Sequence, residues 1–248
     1  MQRYFITPDQ LMGDVIHITG DDVHHIRTVM RSKLGDKVIC CMMGMDYLVE
    51  IKEIAGDSIT CFILERSKSL GEPTVQVTIA QGLPKGEKLE WIFQKGTELG
   101  AASFLPFSST RTVVKIDASK STKKHDRWSK IVKEASEQSH RGRIPTISLP
   151  INWNTLLTEI PNYDLAMIAY EKGGQVLSAI PSLSEAKSIL MMIGPEGGFS
   201  ESEVQDAVNK GAIPITLGNR ILRTETAAIS LLTCIMFVHN ELGGDRNE

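Results

Sequence analysis

The stretch Ile189-Leu190-Met191-Met192-Ile193-Gly194-Pro195-Glu196-Gly197-Gly198-Phe199-Ser200 passes from five apolar residues into a glycine-rich turn and ends on a serine. The apolar run has the length of a buried strand. Ser200 and Glu203 form the S-x-x-E pattern of a capping box, so a helix is predicted over 201–210. Strand, tight loop and helix in direct succession are the grammar of an α/β domain. Three glycines let the loop backbone approach a ligand closely, because no Cβ intervenes. In open α/β sheets ligands bind just beyond the carboxyl ends of strands, where this loop falls. It carries neither the GK[ST] of a Walker A loop nor a GxGxxG dinucleotide fingerprint. Taken alone, a plain tight turn would explain it as well.

Downstream, Leu217-Gly218-Asn219-Arg220-Ile221-Leu222-Arg223-Thr224-Glu225-Thr226-Ala227-Ala228 repeats the pattern. A strand over 215–217 ends at Gly218, a polar turn follows, and a helix is predicted over 225–238, with Ala228, Leu231, Leu232, Ile235 and Met236 on its apolar side. An ordinary cap with an acidic first turn explains Thr224 and Glu225. It does not explain Arg223, a cation at the positive end of a helix dipole, which favours an anionic or carboxylate partner.

Upstream, the pattern predicts a strand over 75–80, a helix over 87–99 closed by Gly100, and short strands over 104–107 and 112–116. A second helix is predicted over 125–140, with Trp128, Ile131, Val132 and Ala135 on one face, and a further strand over 165–170. Such alternation predicts a parallel sheet covered by helices. Before Pro73 the grammar differs. Strand-like runs over 37–42, 47–51 and 58–64 are separated by glycine turns, and a helix starting at Asp21-Asp22 carries Val23, Ile26, Val29 and Met30. That predicts a small, mostly β domain, with the polar residues 66–73 as a linker.

At 248 residues, 42% of them hydrophobic and 23% charged, the chain has the balance of an ordinary globular protein with room for two domains. No apolar run approaches the roughly 18–20 residues needed to span a bilayer, and the first residues lack the apolar stretch of a signal peptide, so a cytosolic location is expected. The four cysteines form no CxxC pair, and the neighbours His24 and His25 do not share a helix face, so no metal site is expected. The formal charge of −3 conceals an uneven distribution. Residues 111–143 hold ten Lys/Arg against four Asp/Glu, leaving the rest of the chain nine charges negative. That suggests a localised polyanion contact, although a solvated helix face with loop lysines fits the charge alone.

Together the two loops resemble the RsmE family of bacterial 16S rRNA uracil-N3 methyltransferases. The likeness extends to Asp22-Val23-His24-His25-Ile26-Arg27-Thr28-Val29-Met30-Arg31, to Gln94-Lys95-Gly96-Thr97-Glu98-Leu99-Gly100 and to Glu134-Ala135-Ser136-Glu137-Gln138-Ser139-His140-Arg141. Asn219 departs from the pattern, where the family often has proline; the turn stays plausible.

The resemblance implies an α/β fold of the SPOUT type: a trefoil-knotted parallel-sheet domain over 74–248, with a small N-terminal PUA-like β-barrel domain over 1–70 that docks RNA. It implies a homodimer whose active site borrows from the partner. The implied activity is methyl transfer from S-adenosyl-L-methionine to N3 of a specific uridine in the 16S rRNA of the small ribosomal subunit, without a metal. Gly194, Glu196, Gly198, Leu217, Gly218, Asn219 and Leu222 are the implied cofactor contacts, with Tyr170 at a strand end beside them. Displacement at a sulfonium methyl is a task of alignment. The uracil imide proton must leave, so a cation near the flanking carbonyl oxygens would stabilise the anion, a role that suits Arg223. Glu196 and Glu225 are the candidate proton acceptors. Arg27, Arg31 and Lys33 in the first domain, and Arg111, Lys115, Lys123, Lys124, Arg127, Arg141 and Arg143 in the second, are expected to track phosphates. Rival readings are a sibling SPOUT enzyme acting on another base or a ribose 2'-oxygen, a non-catalytic ribosome-assembly factor, and a nucleotide-binding enzyme using 194–198 for phosphates.

Overall fold

The computed structural model describes residues 1–114 and 118–243, without the side chains of 118–121. The chain divides into two compact units. One comprises Met1–Glu72 with Ser136–Ile144, the other Pro73–Ala135 with Pro145–Glu248.

The first unit is a six-stranded sheet. Its strands are β1 (Arg3–Phe5), β2 (Leu11–Met12), β3 (Val15–Thr19), β4 (Lys37–Met42), β5 (Met45–Ala55) and β6 (Ser58–Lys68), in spatial order β1-β4-β5-β6-β3-β2. The β1–β4 pair is parallel and the rest are antiparallel. Alternate residues point inward, as the period of two requires: Ile16 and Ile18, Val38 and Cys40, Val49 and Ile51, Ile59 and Cys61. Helix α1 (Asp21–His24) runs on into a π-helical turn, His25–Val29, and adds Val23 and Ile26 to this core. The polar residues Arg66, Ser67 and Lys68, expected in a linker, instead extend β6. They pair with Tyr47, Asp46 and Met45, so the hairpin ladder overrides polar composition.

Ser136–Ile144 belongs to this first unit through its own charge pairing. Arg141, expected to face phosphates, is buried. Its Nε and Nη2 donate to the two carboxylate oxygens of Glu72 at 2.8 and 2.9 Å, and the Gly142 N–H donates to the same carboxylate. Arg3 makes a second fork, onto Asp46 at 2.6 Å, and donates to the Arg141 carbonyl. Burial alone would raise the Asp46 carboxyl, but the hydrogen bonds from Arg3 and Ser69 outweigh it and hold it below its ordinary value. Removing one member of a buried pair strands its partner, at a cost of about 3–5 kcal/mol. Arg141→Ala is therefore expected to lose stability of that order, read as the shift of the urea midpoint, whereas Arg143→Ala, on an exposed side chain, should move it little.

The second unit comprises β7 (Gln76–Gly82), α2 (Lys88–Glu98), β8 (Ser103–Ser108), α3 (Ala118–Gln138, whose last residues belong to the first unit), β9 (Thr146–Ile147), β10 (Ile151–Asn152), α4 (Trp153–Glu159), β11 (Leu165–Ala169), β12 (Ser188–Ile193), α5 (Glu201–Asn209), β13 (Ile213–Ile215) and α6 (Thr224–Val238). All sheet pairs are parallel, in the order β10-β8-β7-β12-β11-β13, with β9 also on β8. Central strand β12 shows why its run is apolar throughout. Ile189, Met191 and Ile193 pack with Phe93 of α2, Trp128 of α3 and Leu231 and Ile235 of α6, while Leu190 and Met192 pack with Leu156 of α4 and Val204 of α5. Both faces of the strand are covered, so neither can be polar. The strand expected over 112–116 does not form across 112–114, where Ser109 and Thr112 close a turn, and the rest of it lies outside the described residues. Among the described residues no helix is long and apolar enough to cross a membrane.

Candidate active site

The loop after β12 is folded on itself. The Gly198 N–H donates to the Pro195 carbonyl at 2.9 Å, with Gly198 at φ +64°, a conformation that costs a residue with a side chain more than it costs glycine. A Cβ on Gly198 would lie 3.1 Å from both carboxylate oxygens of Glu171, and one on Gly194 would lie 3.0 Å from the Gly198 backbone. Ser200 caps α5 as expected, and the capping box is complete: Ser200 Oγ accepts from the Glu203 N–H, and the Glu203 carboxylate accepts from the Ser200 N–H at 2.8 Å. Glu203 also accepts from the Thr110 N–H at 2.8 Å, which ties the turn after β8 to this loop. Burial would raise the Glu203 carboxyl, yet the hydrogen bonds from Ser200 and Thr110 hold it below its ordinary value. A depressed carboxylate contributes stability that is present above its unfolded pKa, about 4.3, and is lost as the pH falls through the folded value. The stability gap between the unaltered protein and Glu203→Gln should be constant near neutrality and close below about pH 4. Urea titrations across pH would show it.

Three elements meet in a buried clasp that the sequence did not reveal. Gln81, at the end of β7, donates through Nε2 to Thr224 Oγ1 at 2.8 Å and to the Gly82 carbonyl at 2.9 Å. Thr224 Oγ1 in turn donates to the Gly194 carbonyl at 2.6 Å. The clasp fastens the end of β7, the loop after β12 and the start of α6. Thr224 therefore points inward, and the N-cap position of α6 falls to Arg223, whose side chain makes no capping bond. Beside the clasp, Gly82 abuts the loop so closely that a Cβ would lie 2.6 Å from the Pro195 backbone nitrogen.

Beyond the clasp lies a cavity of about 860 Å³, at the carboxyl ends of β11, β12 and β13. Its walls include Gly194, Glu196 and Gly198 of the first loop. They also include Leu217, Gly218, Asn219 and Leu222 of the second, with Tyr170 beside them, so every expected cofactor residue lines one space. Arg223 lines it too, with an exposed side chain. Glu196 is at the wall but committed. Its carboxylate accepts from Lys88 Nζ at 2.7 Å and from the Lys85 N–H at 3.0 Å. Burial would raise this carboxyl, but the Lys88 bond and the backbone donors hold it low. Glu225 is not among the lining residues; it is half-buried, and one of its carboxylate oxygens is buried without a hydrogen-bond partner among the described residues.

The volume is within the usual 300–1,000 Å³ of a small-molecule site. The crowded glycines leave loop backbone as much of the wall. Residues 71–236 match the family described as RNA methyltransferase domain, and 18–64 match its RNA methyltransferase PUA domain. The ribosomal RNA small subunit methyltransferase E of Bacillus subtilis is 43% identical over 99% of this chain and 100% of its own length. The chain belongs to the ribosomal RNA small subunit methyltransferase E family. A family member from Neisseria gonorrhoeae, solved bound to S-adenosyl methionine, superposes with a TM-score of 0.87 at 26% identity, over 96% of this chain and 98% of that one. A Legionella pneumophila protein solved with bound cofactor SAM gives the same score at 28% identity, over 95% and 96%.

In this member of the family, the basic residues expected to meet RNA are unevenly available. Arg31, Lys33, Lys123, Lys124 and Arg143 are exposed. Arg27 is exposed and donates to the Gly56 carbonyl, and Arg127 pairs with Glu90 at 2.6 Å. Arg111 donates to the Gly197 carbonyl at 2.8 Å and packs on that glycine, so it braces the loop after β12. Lys115 lies outside the described residues.

Proposed function

We propose that this protein transfers a methyl group from S-adenosyl-L-methionine to N3 of a specific uridine in the 16S rRNA of the small ribosomal subunit. The observation that carries this reading is the clasped cavity, built from both loops, with Arg223 at its wall and neither Glu196 nor Glu225 placed as a free base. When bound, S-adenosylmethionine supplies an electrophilic methyl on a sulfonium. Gly194, Gly198, Leu217, Gly218, Asn219 and Leu222 would hold it, with Tyr170 beside them. Arg223 faces the uracil carbonyl oxygens and stabilises the negative charge that spreads onto them as the imide proton departs to water. Glu196 anchors the loop through Lys88 and Lys85. Glu196→Gln should therefore keep kcat within about threefold, whereas loss of a general base costs about 10²–10⁴-fold.

The first unit docks RNA and the second carries the transfer, with the chain around the cavity knotted; the insertion of β12 between β7 and β11 supports that path. The protein works in the cytoplasm as a homodimer. Phe237, 69% exposed on α6 beside exposed Cys234 and Val238, supports a partner surface there. The deciding experiment is transfer from labelled S-adenosylmethionine to undermethylated small subunits, followed by nucleoside analysis. Label in 3-methyluridine is the expected result; label in another nucleoside, or none, overturns the assignment.

A further inference from the structure

Away from the cofactor cavity, the carboxyl ends of β8 and β10 open into a second groove of about 640 Å³. Ser108, Ser109 and Thr110 form one wall; Trp153, Asn154 and Thr158 of α4 form the other. Hydroxyl, amide and indole groups line it, and none of its lining side chains is ionised. Part of this polarity is already used. Asn152 Oδ1 caps α4 by accepting from the Thr155 N–H, and the Thr158 hydroxyl donates to the Thr155 carbonyl. The Asn154 amide is exposed and has no hydrogen-bond partner among the described residues, and the Trp153 indole nitrogen is buried without one. A buried, unpaired donor costs about 1–3 kcal/mol and gains from any acceptor brought within reach.

The groove is fastened to the cofactor loop. The Trp153 ring lies 5.6 Å from Phe199, the buried aromatic of that loop, and 5.8 Å from Phe107, on which Phe199 stacks. Thr110 at its rim holds Glu203, and the next residue, Arg111, holds the Gly197 carbonyl. In the sheet β8 and β10 lie two to four strands from β12 and β11, so the groove and the cofactor cavity are separated by about 10–20 Å at a strand spacing of ~4.8 Å. A few nucleotides of single-stranded RNA span that distance.

We propose that this groove seats a nucleotide flanking the methylated uridine, holding it by ribose hydroxyl and base edge and not by phosphate. The proposal rests on the RNA-methylation reading above. Hydroxyl and amide groups match the donors and acceptors of a ribose and a base, whereas a phosphate would meet no cation there. Enzymes that draw a base out of its strand take sequence context from such flanking contacts.

The test is the variant Asn154→Ala in the full chain; the side chain is exposed and makes no bond to the cofactor loop. Fluorescence anisotropy with a short labelled oligouridine would be recorded over a range of salt. We expect the variant to bind about fivefold more weakly at every salt concentration, with the slope of log K against log salt unchanged, because no phosphate contact is lost. KM for undermethylated small subunits should rise by a similar factor, with the melting temperature and the affinity for S-adenosylmethionine unaltered. Unchanged RNA affinity, or a changed salt slope, overturns the assignment while leaving the methyltransferase reading intact. If the unaltered protein methylates no subunits and binds no oligouridine, the reading itself falls and the groove assignment with it.

Discussion

Arg223→Ala is expected to bind S-adenosylmethionine as the unaltered protein does, and to methylate small subunits about 10²–10³ times more slowly in kcat. The factor is that of one lost donor to a developing oxyanion. The affinity should survive because the side chain is exposed, makes no capping bond, and has no ion-pair partner among the described residues. Truncation therefore removes no packing. A cation at the N-terminus of α6 also works against the helix dipole, so its loss should not weaken the helix. Arg223→Lys separates charge from shape, since it keeps the cation and loses the planar fork. Single-turnover transfer and calorimetric titration of the cofactor would check both variants. Normal transfer by Arg223→Ala would remove the arginine from the mechanism.

The second large effect is expected at a residue that does not line the cavity. Gly82→Ala would place a methyl 2.6 Å from the backbone nitrogen of Pro195, and backbone cannot swing aside as a side chain can. The loop after β12 would have to move, at the roughly 1–3 kcal/mol typical of overpacking. Gly82 also accepts from the Gln81 amide that holds Thr224, so the displacement reaches the start of α6. Affinity for S-adenosylmethionine should fall about 10- to 100-fold, at 1.4 kcal/mol for each factor of ten. Titration calorimetry would measure it. Unchanged affinity would mean that the loop position is not set by this contact.

Much of this was visible in the sequence because local signals were strong. The apolar run before Gly194 announced a strand buried on both faces, and Ser200 with Glu203 announced the helix start. Arg223 stood out because it contradicted the dipole of its own helix. What escaped depends on contacts between distant residues. Gln81 reads as an ordinary polar strand end until Thr224 and Gly194, over a hundred residues away, are brought to it. Arg141 reads as one more basic residue in a basic segment, and only the fold supplies Glu72. The two-residue strands β9 and β10 are too short for any periodicity, and they conceal the groove beside Trp153. Glu225 was a candidate by position alone, and the way its carboxylate lies off the cavity wall depends on the packing of α6.

The fork of Arg141 onto Glu72 also bears on how the protein is made. The chain crosses between its two units three times, after Glu72, after Ala135 and after Ile144. A ribosome that has released only the first 72 residues has therefore not released a complete first unit, because Ser136–Ile144 is still unmade. At about 5–20 residues per second, that unit waits roughly 4–14 seconds for its last piece. During this interval Glu72 and its surroundings are open, and the strands of the second unit are already emerging. The first unit is therefore completed only after the first strands of the second have been made.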